Sequence, residues 1–257
     1  MYKIASWNVN SVRARIEPVV EWIRDYQPDI LAIQETKVEK ELFPKEIFED
    51  LGYYVSVVGQ KSYNGVATIS REPLQDILSH WPDHLNTDNE QRLLVGTAGK
   101  LRIVNVYVPN GQSVDSEKYV YKLGWLERFH AFIKEELTRY PEIVILGDFN
   151  IAPADEDVYD PKAWEGNVLV SEPERSALQK LLRLGFKDSF RLFDQPKEQY
   201  SWWNYRAAAF RRNMGLRIDL VLISNALIPR CTASEIDKAP RGKEKPSDHA
   251  PVWVALD

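Results

Sequence analysis

The stretch IVILGDFNIAP (residues 143–153) places polar residues directly after a short apolar run. Four consecutive aliphatic residues followed by Gly147 are typical of a strand that is buried on both faces. Asp148 and Asn150 stand at the exit of this strand, two residues apart. Residues two apart on an extended chain point to the same side. We therefore expect both side chains to hold one water molecule or ligand from two directions.

Strand-like stretches of this kind recur along the whole chain, and several are near-continuous apolar runs. They occupy residues 2–8, 29–35, 53–59, 64–70, 92–98, 101–108, 142–148, 217–224 and 250–256. Apolar residues at helical spacing occur at residues 18–26, 121–140 and 174–185. This mixture predicts a mixed α/β sandwich rather than a simple βαβ alternation. Because no repeat or linker interrupts the pattern, we expect a single domain over residues 1–257.

Composition limits the class of protein. A chain of 257 residues with 44% hydrophobic content can bury a sizeable core. Its apolar runs are all far shorter than the roughly 20 residues needed to span a bilayer, and the first ten residues lack the pattern of a secretion signal. The single cysteine, Cys231, excludes an internal disulfide framework and a cysteine-based zinc site. We expect a soluble, cytoplasmic protein that has no membrane partner.

Charge is distributed unevenly along the chain. The net charge of -5 by itself disfavours a polyanionic partner. The segment YRAAAFRRNMGLR (residues 205–217), however, carries four arginines and no acidic residue. Basic residues beside aromatic ones are typical of a surface that binds a phosphate backbone. A solvated helix face or loop is the alternative interpretation of this segment.

Polar residues also stand repeatedly where predicted strands begin or end: Asn8, Asn10, Glu35, Tyr107, Asn110, Asp148, Asn150, Asp219, Asp248 and His249. A lone aspartate at a strand exit usually caps a turn, and a lone histidine is usually packed or on the surface. Independent capping roles do not account for so many such residues together. If the strand ends converge at one rim, they form a cluster of hard oxygen ligands around one histidine.

Phosphodiester hydrolysis explains these residue types. An in-line attack needs a deprotonated water, neutralised charge on the non-bridging oxygens and a stabilised leaving oxygen. Carboxylate and amide oxygens suit Mg²⁺, or Mn²⁺ in its place, whereas zinc would favour more histidine or cysteine. A carboxylate beside His249 favours the imidazolium, and an imidazolium favours a phosphate oxygen. These residue types are therefore the ones that metal-dependent hydrolysis of a phosphoester requires.

A series of motifs resembles one known family. In chain order they are WNVNSVRAR, LAIQETK, YNGVATISR, NVYVPNG, GDFN, GLRIDLVLIS and SDHAPVW. This series resembles the exonuclease III type of apurinic/apyrimidinic (AP) endonuclease, within the endonuclease/exonuclease/phosphatase superfamily, over residues 4–253. GDFN and SDH are shared across the superfamily, whereas QETK, NGVA and GLRID look like DNA repair nucleases. The resemblance implies a four-layer α/β sandwich, in which two mixed β-sheets pack face to face and are flanked by helices.

The resemblance also implies roles for individual residues. Asp148 would hold or deprotonate the attacking water, and Asn150 would orient it. His249 would contact the scissile phosphate, and Asp219 would fix the tautomer of His249. Tyr107 would donate to the phosphate or assist the leaving oxygen. Glu35 would be the principal metal ligand in a set that comprises Asn8, Glu35, Asp148, Asn150, Asp248 and His249.

DNA would lie in a basic groove beside this rim. The residues that the resemblance and the charge pattern assign to DNA are Arg13, Lys37, Tyr63, Asn64, Asn110, Trp202, Arg206, Arg211, Arg212, Leu216 and Arg217. Trp202 would stack or would line an apolar pocket for an extrahelical deoxyribose, although a core position is the alternative for the Trp202–Trp203 pair. Leu216 occupies a position that is tryptophan in some relatives.

The expected activity is that of a Mg²⁺-dependent DNA repair phosphodiesterase in base excision repair. It combines 3′ to 5′ exonuclease activity on double-stranded DNA with AP-site incision and cleaning of blocked 3′ ends, by a monomer without an obligate protein partner. Two departures keep alternatives open: Gly111–Ser113 replaces an inserting arginine of some AP endonucleases, and Asn10 replaces an aspartate ligand. The alternatives are an exonuclease with little or no AP-site incision, a non-DNA phosphoesterase of the superfamily, and a non-catalytic DNA-binding module.

Overall fold

The computed structural model describes residues 1–86 and 88–257. The helices among these residues are α1 (Ile16–Tyr26), α2 (Lys45–Glu49), α3 (Glu117–Glu136), α4 (Pro161–Trp164) and α5 (Glu172–Leu182). None of the helices in this described part of the chain is long and apolar enough to cross a membrane. The strands are β1 (Tyr2–Asn8), β2 (Ile30–Gln34), β3 (Tyr54–Val58), β4 (Val66–Ser70), β5 (Gln75–Leu78), β6 (Leu93–Ala98), β7 (Leu101–Tyr107), β8 (Ile143–Asp148), β9 (Phe186–Asp188), β10 (Trp202–Trp203), β11 (Gly215–Leu216), β12 (Asp219–Ser224), β13 (Cys231–Ile236) and β14 (Val252–Leu256).

Twelve strands form two six-stranded sheets. The strand order is β13-β14-β1-β2-β4-β3 in the first sheet and β5-β6-β7-β8-β12-β9 in the second, and β10 and β11 form a separate ladder. Each sheet is mixed, because β1 and β2 pair in parallel and so do β7 and β8, whereas the neighbouring pairs are antiparallel. A parallel pair needs a crossover connection. Helices α1 and α3 lie in these two crossovers.

Three apolar clusters separate the layers. The middle cluster joins the facing sides of the two sheets and includes Ile4, Ile103 and Leu146. An outer cluster packs α1 on the first sheet, and another packs α3 and α5 on the second. The order of layers is thus helix, sheet, sheet, helix. The four-layer α/β sandwich predicted from the sequence is confirmed.

Strand register brings the polar strand ends to one rim. In the parallel pairs, Asn8 lies opposite Gln34 and Tyr107 lies opposite Asp148, so these strands end together. Strand β12 runs antiparallel to β8 and begins at the same level, with Asp219 opposite Asp148. Strand β14 is antiparallel to β1, so the segment before it also reaches this rim.

The nine predicted strands and three predicted helices are all present, but the sequence reading missed other elements. Strands β5, β9 and β13 are edge strands of the two sheets, and their sequences lack the apolar run of a central strand. Helix α3 begins at Glu117 because the hydroxyl of Ser116 accepts a hydrogen bond from the Tyr119 N–H. It ends at Glu136, four residues before the end of the helical pattern at residue 140.

Candidate active site

Three side chains meet at the centre of the rim. One potential ligand atom from each of Glu35, Asp148 and His249 lies within 4.8 Å of the others. Glu35 follows β2, Asp148 ends β8 and His249 precedes β14, so both sheets contribute. Because two carboxylates this close repel each other, the cluster favours a cation between them. These three residues therefore lie together at one rim, as expected from their positions at the ends of strands.

His249 is held by a buried carboxylate. Its Nδ1 lies 2.9 Å from Oδ2 of Asp219, and the Ser201 hydroxyl donates to the same oxygen at 2.6 Å. Burial alone would lower the pKa of His249, but the carboxylates of Asp219 and Asp148 raise it to about 10. The ring is therefore an imidazolium at neutral pH. Its Nε2 lies 3.7 Å from Oδ2 of Asp148, so its second N–H faces the cluster.

Asp148 is a buried carboxylate with an unusual pKa. Burial raises its pKa to about 7, against the opposing effect of the His249 charge. Its Oδ2 accepts a hydrogen bond from the Asn8 amide at 2.9 Å, and its Oδ1 accepts the backbone N–H of Asn150 at 2.9 Å. A carboxylate with a pKa near neutrality is suited to exchanging a proton with water.

Asn8 donates hydrogen bonds to the cluster. Its Nδ2 donates to Glu35 Oε1 at 2.8 Å and to Asp148 Oδ2 at 2.9 Å. Its oxygen accepts the backbone N–H of Asn10 at 3.0 Å. That backbone donor fixes which end of the amide faces the carboxylates. In this structure Asn8, which was predicted as a metal ligand, bridges the two carboxylates through its amide N–H groups.

Asp248 lies beside the central cluster. Its two oxygens accept hydrogen bonds from the Trp202 indole and from the Asn10 amide, each at 3.0 Å. Burial alone would raise its pKa, but the charge of His249 and these two hydrogen bonds lower it. The residue is an ionised carboxylate whose oxygens are already engaged. It was expected in the metal set, yet it lies outside the group formed by Glu35, Asp148 and His249.

Asn150 sits in a turn, contrary to the extended strand exit that was expected. Its φ angle is 49°, and its Nδ2 donates to the Val108 carbonyl at 3.0 Å. Its Oδ1 accepts from the Asn110 amide at 3.0 Å. The turn arises because the Asp148 carboxylate accepts the Asn150 backbone N–H. The two residues are thus linked directly, and the Asn150 side chain is directed toward the loop that follows β7.

A buried lysine, which the sequence reading missed, holds these two loops together. Lys122 on α3 is fully buried. Its Nζ donates to the carbonyls of Asn150 at 2.6 Å and of Asn110 at 3.1 Å, and it pairs with Glu174. The sequence did indicate that Lys122 is buried, because it lies four residues before Leu126 and therefore on the apolar face of the helix.

Tyr107 lies at the end of β7 beside the two carboxylates. Burial, and then the charges of Glu35 and Asp148, raise its pKa well above 10, so the phenol keeps its proton. The Arg92 guanidinium packs over its ring at 4.8 Å. A groove of about 590 Å³ opens beside it, lined in part by Tyr63, Asn64, Arg92, Asn110 and Lys118. Tyr63, Asn64 and Asn110 were predicted to contact DNA, and the structure groups them here.

Lys37 is paired with the central cluster. Its Nζ lies 2.8 Å from Oε2 of Glu35 and also contacts the Asn10 side-chain oxygen. The pair is partly exposed, with 30% of the Lys37 side chain and 18% of the Glu35 side chain open to solvent. A residue predicted to contact DNA therefore neutralises the principal predicted metal ligand.

The basic segment at residues 205–217 divides into two parts. Arg206, Arg211 and Arg212 are exposed, as is Arg13 near the other end of the chain. Arg217 is only 1% exposed, and it pairs with Asp157 at 2.6 Å and with Asp188 at 2.7 Å. These carboxylates raise the pKa of Arg217 against the effect of burial. The prediction that Arg217 contacts DNA is wrong in this structure, because two acidic residues hold it in the interior.

The two tryptophans after residue 201 have different environments. Trp203 is fully buried, whereas Trp202 is partly exposed and forms a β-bridge with His249. Leu216 pairs with Trp202 in the β10–β11 ladder and is itself fully buried. Leu216 is therefore not the DNA contact that was predicted, because it packs beneath Trp202 in an apolar cluster. Trp202 lies at the rim, where a pocket residue was expected.

The donor set fits a divalent metal ion. Two carboxylates that converge beside amide groups are hard ligands of the kind that Mg²⁺ prefers. The ammonium of Lys37 on Glu35 shows that this carboxylate attracts a cation. Glu35 and Asp148 are the residues that would hold the ion. His249, whose Nδ1 is bonded to Asp219, is the third member of this group.

Carboxylates, amides and an Asp–His pair at one rim of two stacked mixed sheets define the class of the protein as a phosphoester hydrolase. Residues 5–249 match the Endonuclease/Exonuclease/phosphatase family, and the chain belongs to this family. The family resemblance predicted from the motifs is confirmed.

Known proteins similar to this chain are nucleases and a phosphatase. Exodeoxyribonuclease III of Haemophilus influenzae is 37% identical and covers 98% of both chains. A structure of the 3′ phosphatase NExo from Neisseria, bound to a product DNA hairpin, superposes with a TM-score of 0.97 at 40% identity and covers 100% of both chains. An AP endonuclease from Archaeoglobus fulgidus superposes with a TM-score of 0.95 at 39% identity, again over 100% of both chains.

Proposed function

We propose that this chain is a Mg²⁺-dependent DNA repair phosphodiesterase. It degrades double-stranded DNA from 3′ ends, incises DNA at AP sites and cleans blocked 3′ ends in base excision repair. The observation that carries the proposal is the convergence of Glu35, Asp148 and an Asp219-bound His249 at one rim. The nuclease and phosphatase names of the similar proteins support the substrate class.

Asp148 is the residue that we assign to water activation. Its pKa is raised toward neutrality by burial, so it takes up a proton more readily than an ordinary aspartate does. The backbone N–H of Asn150 and the amide of Asn8 fix both of its oxygens. Mg²⁺ held by Glu35 and Asp148 would neutralise charge on the phosphate and stabilise the leaving oxygen.

His249 and Tyr107 supply hydrogen-bond donors to the phosphate. The Nε2–H of the His249 imidazolium points into the cluster and binds a non-bridging oxygen, while Asp219 and Ser201 fix the ring. Tyr107 stays protonated because burial and the neighbouring carboxylates raise its pKa. Its O–H therefore donates to the phosphate or to the leaving oxygen. Asn150 orients the loop and offers the remaining lone pair of its amide oxygen to water.

Duplex DNA is the partner that the exposed basic residues fit. Arg206, Arg211, Arg212 and Arg13 are exposed and would contact the backbone. Tyr63 is 70% exposed at the edge of the groove beside Tyr107, where an aromatic ring can stack on a base. We further propose that the protein acts in the cytoplasm as a monomer, without an obligate protein partner.

Two end-labelled duplexes test this function. One contains an internal abasic-site analogue, the other is intact with a recessed 3′ end, and each is incubated with Mg²⁺ or EDTA. Internal incision together with a 3′ ladder, both only in Mg²⁺, is the expected result. A ladder alone would indicate an exonuclease with little AP-site incision. Absence of both products, with turnover of an inositol phosphate or lipid instead, would identify a non-DNA phosphoesterase; metal-independent binding without cleavage would indicate a binding module.

A further inference from the structure

The position of Lys37 is set by its backbone. Glu35 and Lys37 both have left-handed backbone conformations, with φ angles of 51° and 54°, and the Lys37 N–H donates to the Asn64 carbonyl at 3.0 Å. With these backbone conformations, the ammonium lies 2.8 Å from Oε2 of Glu35. The Asn10 side-chain oxygen completes the contact. The backbone of Lys37 is therefore held in place, and its side chain extends to the cluster.

Both oxygens of Glu35 are occupied in this structure. Oε1 accepts from the Asn8 amide at 2.8 Å, and Oε2 is paired with Lys37. Each carboxylate oxygen can accept a second ligand, but a metal ion on Glu35 would lie close to the Lys37 ammonium, and the two positive charges would repel each other. The amide bridges two carboxylates in the interior of the site, whereas the ammonium is partly exposed on a flexible four-carbon stem. The ammonium is the donor that is easier to displace.

We propose that metal binding at Glu35 releases Lys37, and that the released ammonium then binds a DNA phosphate. This inference rests on the proposed function, since it needs both a divalent ion and a DNA substrate. Without metal, Glu35 neutralises Lys37 and the nearby Asp148 and Asp248 carboxylates repel a polyanion. With metal, the ion satisfies Glu35 and Lys37 becomes a free cation. Metal and DNA therefore bind cooperatively, and the coupling is reciprocal.

Arg13 provides a matched control. It lies in the WNVNSVRAR motif at the same end of the first sheet. It is exposed, and within residues 1–86 and 88–257 its side chain makes no ion pair with an acidic residue. Its contribution to DNA binding has no reason to depend on metal. Arg13 is thus free to bind DNA with or without metal, and it can be compared with Lys37, which is free only when metal is bound.

The first experiment measures Mn²⁺ affinity without DNA by titration calorimetry. The Lys37→Met variant should bind Mn²⁺ more tightly than the parent by roughly two- to fivefold, because this partly exposed ion pair is weak and no longer competes with the metal. The Arg13→Gln variant should bind Mn²⁺ as the parent does. Unchanged or weaker binding by Lys37→Met would overturn the proposal, provided that circular dichroism shows the variant to be folded.

The second experiment measures how DNA affinity depends on salt. The probe is an abasic-analogue duplex whose scissile and 3′-terminal linkages are phosphorothioates, so that it keeps its charge while cleavage is slowed. Lys37→Met should reduce the slope of log affinity against log salt by about 0.9 in saturating Mn²⁺, as expected for one lost phosphate contact, and should leave it unchanged in EDTA. Arg13→Gln should change the slope equally in both conditions.

The outcomes separate this proposal from the proposed function. If the parent binds both Mn²⁺ and DNA but the Lys37 contribution to the slope is the same in Mn²⁺ and EDTA, the coupling is refuted and the nuclease function stands. If the parent binds neither Mn²⁺ nor DNA, both proposals fail. A Lys37 contribution that is present only in Mn²⁺ would establish the coupling.

Discussion

The rim of the two sheets and the basic segment at residues 205–217 use charge in opposite ways. At the rim, Asp148, Asp219 and His249 are almost fully buried. Hydrogen bonds to neighbouring groups fix the position of each side chain. In the basic segment, Arg206, Arg211 and Arg212 are exposed on a loop. The rim therefore has the fixed geometry that bond cleavage requires. The loop offers solvent-exposed charge, which suits contacts to a phosphate backbone.

Arg217 shows that sequence proximity does not assign a residue to one of these regions. It belongs to the same cluster in the sequence as Arg212, but its side chain is buried between Asp157 and Asp188. A buried guanidinium with two carboxylates is a structural element. Burial and partners, rather than charge type, decide what each arginine does.

The largest expected effect is at the rim. Replacing Asp148 with Asn should lower kcat by about 10³- to 10⁴-fold, since the group that accepts the water proton is lost. DNA affinity should be retained, because the exposed arginines are unchanged. Single-turnover cleavage and fluorescence anisotropy measure the two quantities separately. The exposed Asp155, changed to Asn, is the control. Near-parental turnover in Asp148→Asn would remove Asp148 from the chemistry.

The next effect tests the division within the basic segment. Changing Arg217 to Met should lower the free energy of unfolding by about 3 kcal/mol, because the buried Asp157 keeps only Arg191 as an ion-pair partner and Asp188 loses its arginine. The salt dependence of DNA binding by the folded variant should not change. Urea unfolding and anisotropy measure these properties. A weakened salt dependence with unaltered stability would place Arg217 on the DNA surface after all.

A third test uses pH and the metal-free protein. Burial raises the pKa of Asp148 from 3.8 to about 7, so folding favours its protonated form. Its contribution to stability is complete below pH 3.8 and is lost as the pH rises through about 7. In EDTA, the parent should therefore lose stability relative to Asp148→Asn between these pH values. Thermal melts at several pH values measure this difference, and parallel curves would contradict the expectation.

The smallest effect is on the exposed loop. Replacing Arg211 and Arg212 with Gln should reduce the salt slope of DNA binding by about 0.9 for each lost phosphate contact. The free energy of unfolding should change by less than about 0.5 kcal/mol, because exposed side chains contribute little. The salt slope and the free energy of unfolding are both measured in this variant and are compared with the same two quantities in Arg217→Met. A lower free energy of unfolding without any change in the salt slope would mean that Arg211 and Arg212, like Arg217, serve the structure and not DNA binding.

The central strands and the site carboxylates were predictable from the sequence for one reason. Long apolar runs mark buried strands, and the residue after each run marks the rim, so Glu35, Asp148 and the segment before β14 could be brought together. The edge strands β5, β9 and β13 were missed because their sequences lack an apolar run, whereas the edge strand β3 has one and was predicted. Apolar runs in the sequence therefore identify the central strands of the two sheets.

Side-chain partners from distant parts of the chain were beyond prediction. The donor role of Asn8 depends on the Asn10 backbone N–H, which fixes the orientation of the amide. Ser201 reaches Asp219 only because the β10–β11 ladder lies against the start of β12. The burial of Arg217 depends on Asp157, 60 residues away. Each of these interactions depends on tertiary contacts, and no periodic pattern in the sequence indicates such contacts.

Glu174 joins the stability of a helix to the order of the catalytic loops. Its carboxylate accepts the backbone N–H groups of Leu169 and Ser171 at the start of α5, and it also pairs with Lys122. Lys122 in turn binds the carbonyls of Asn110 and Asn150. Fraying of the first turn of α5 would therefore release both loops at once. Native-state hydrogen exchange would then report one cooperative opening unit that spans a helix end and the catalytic rim.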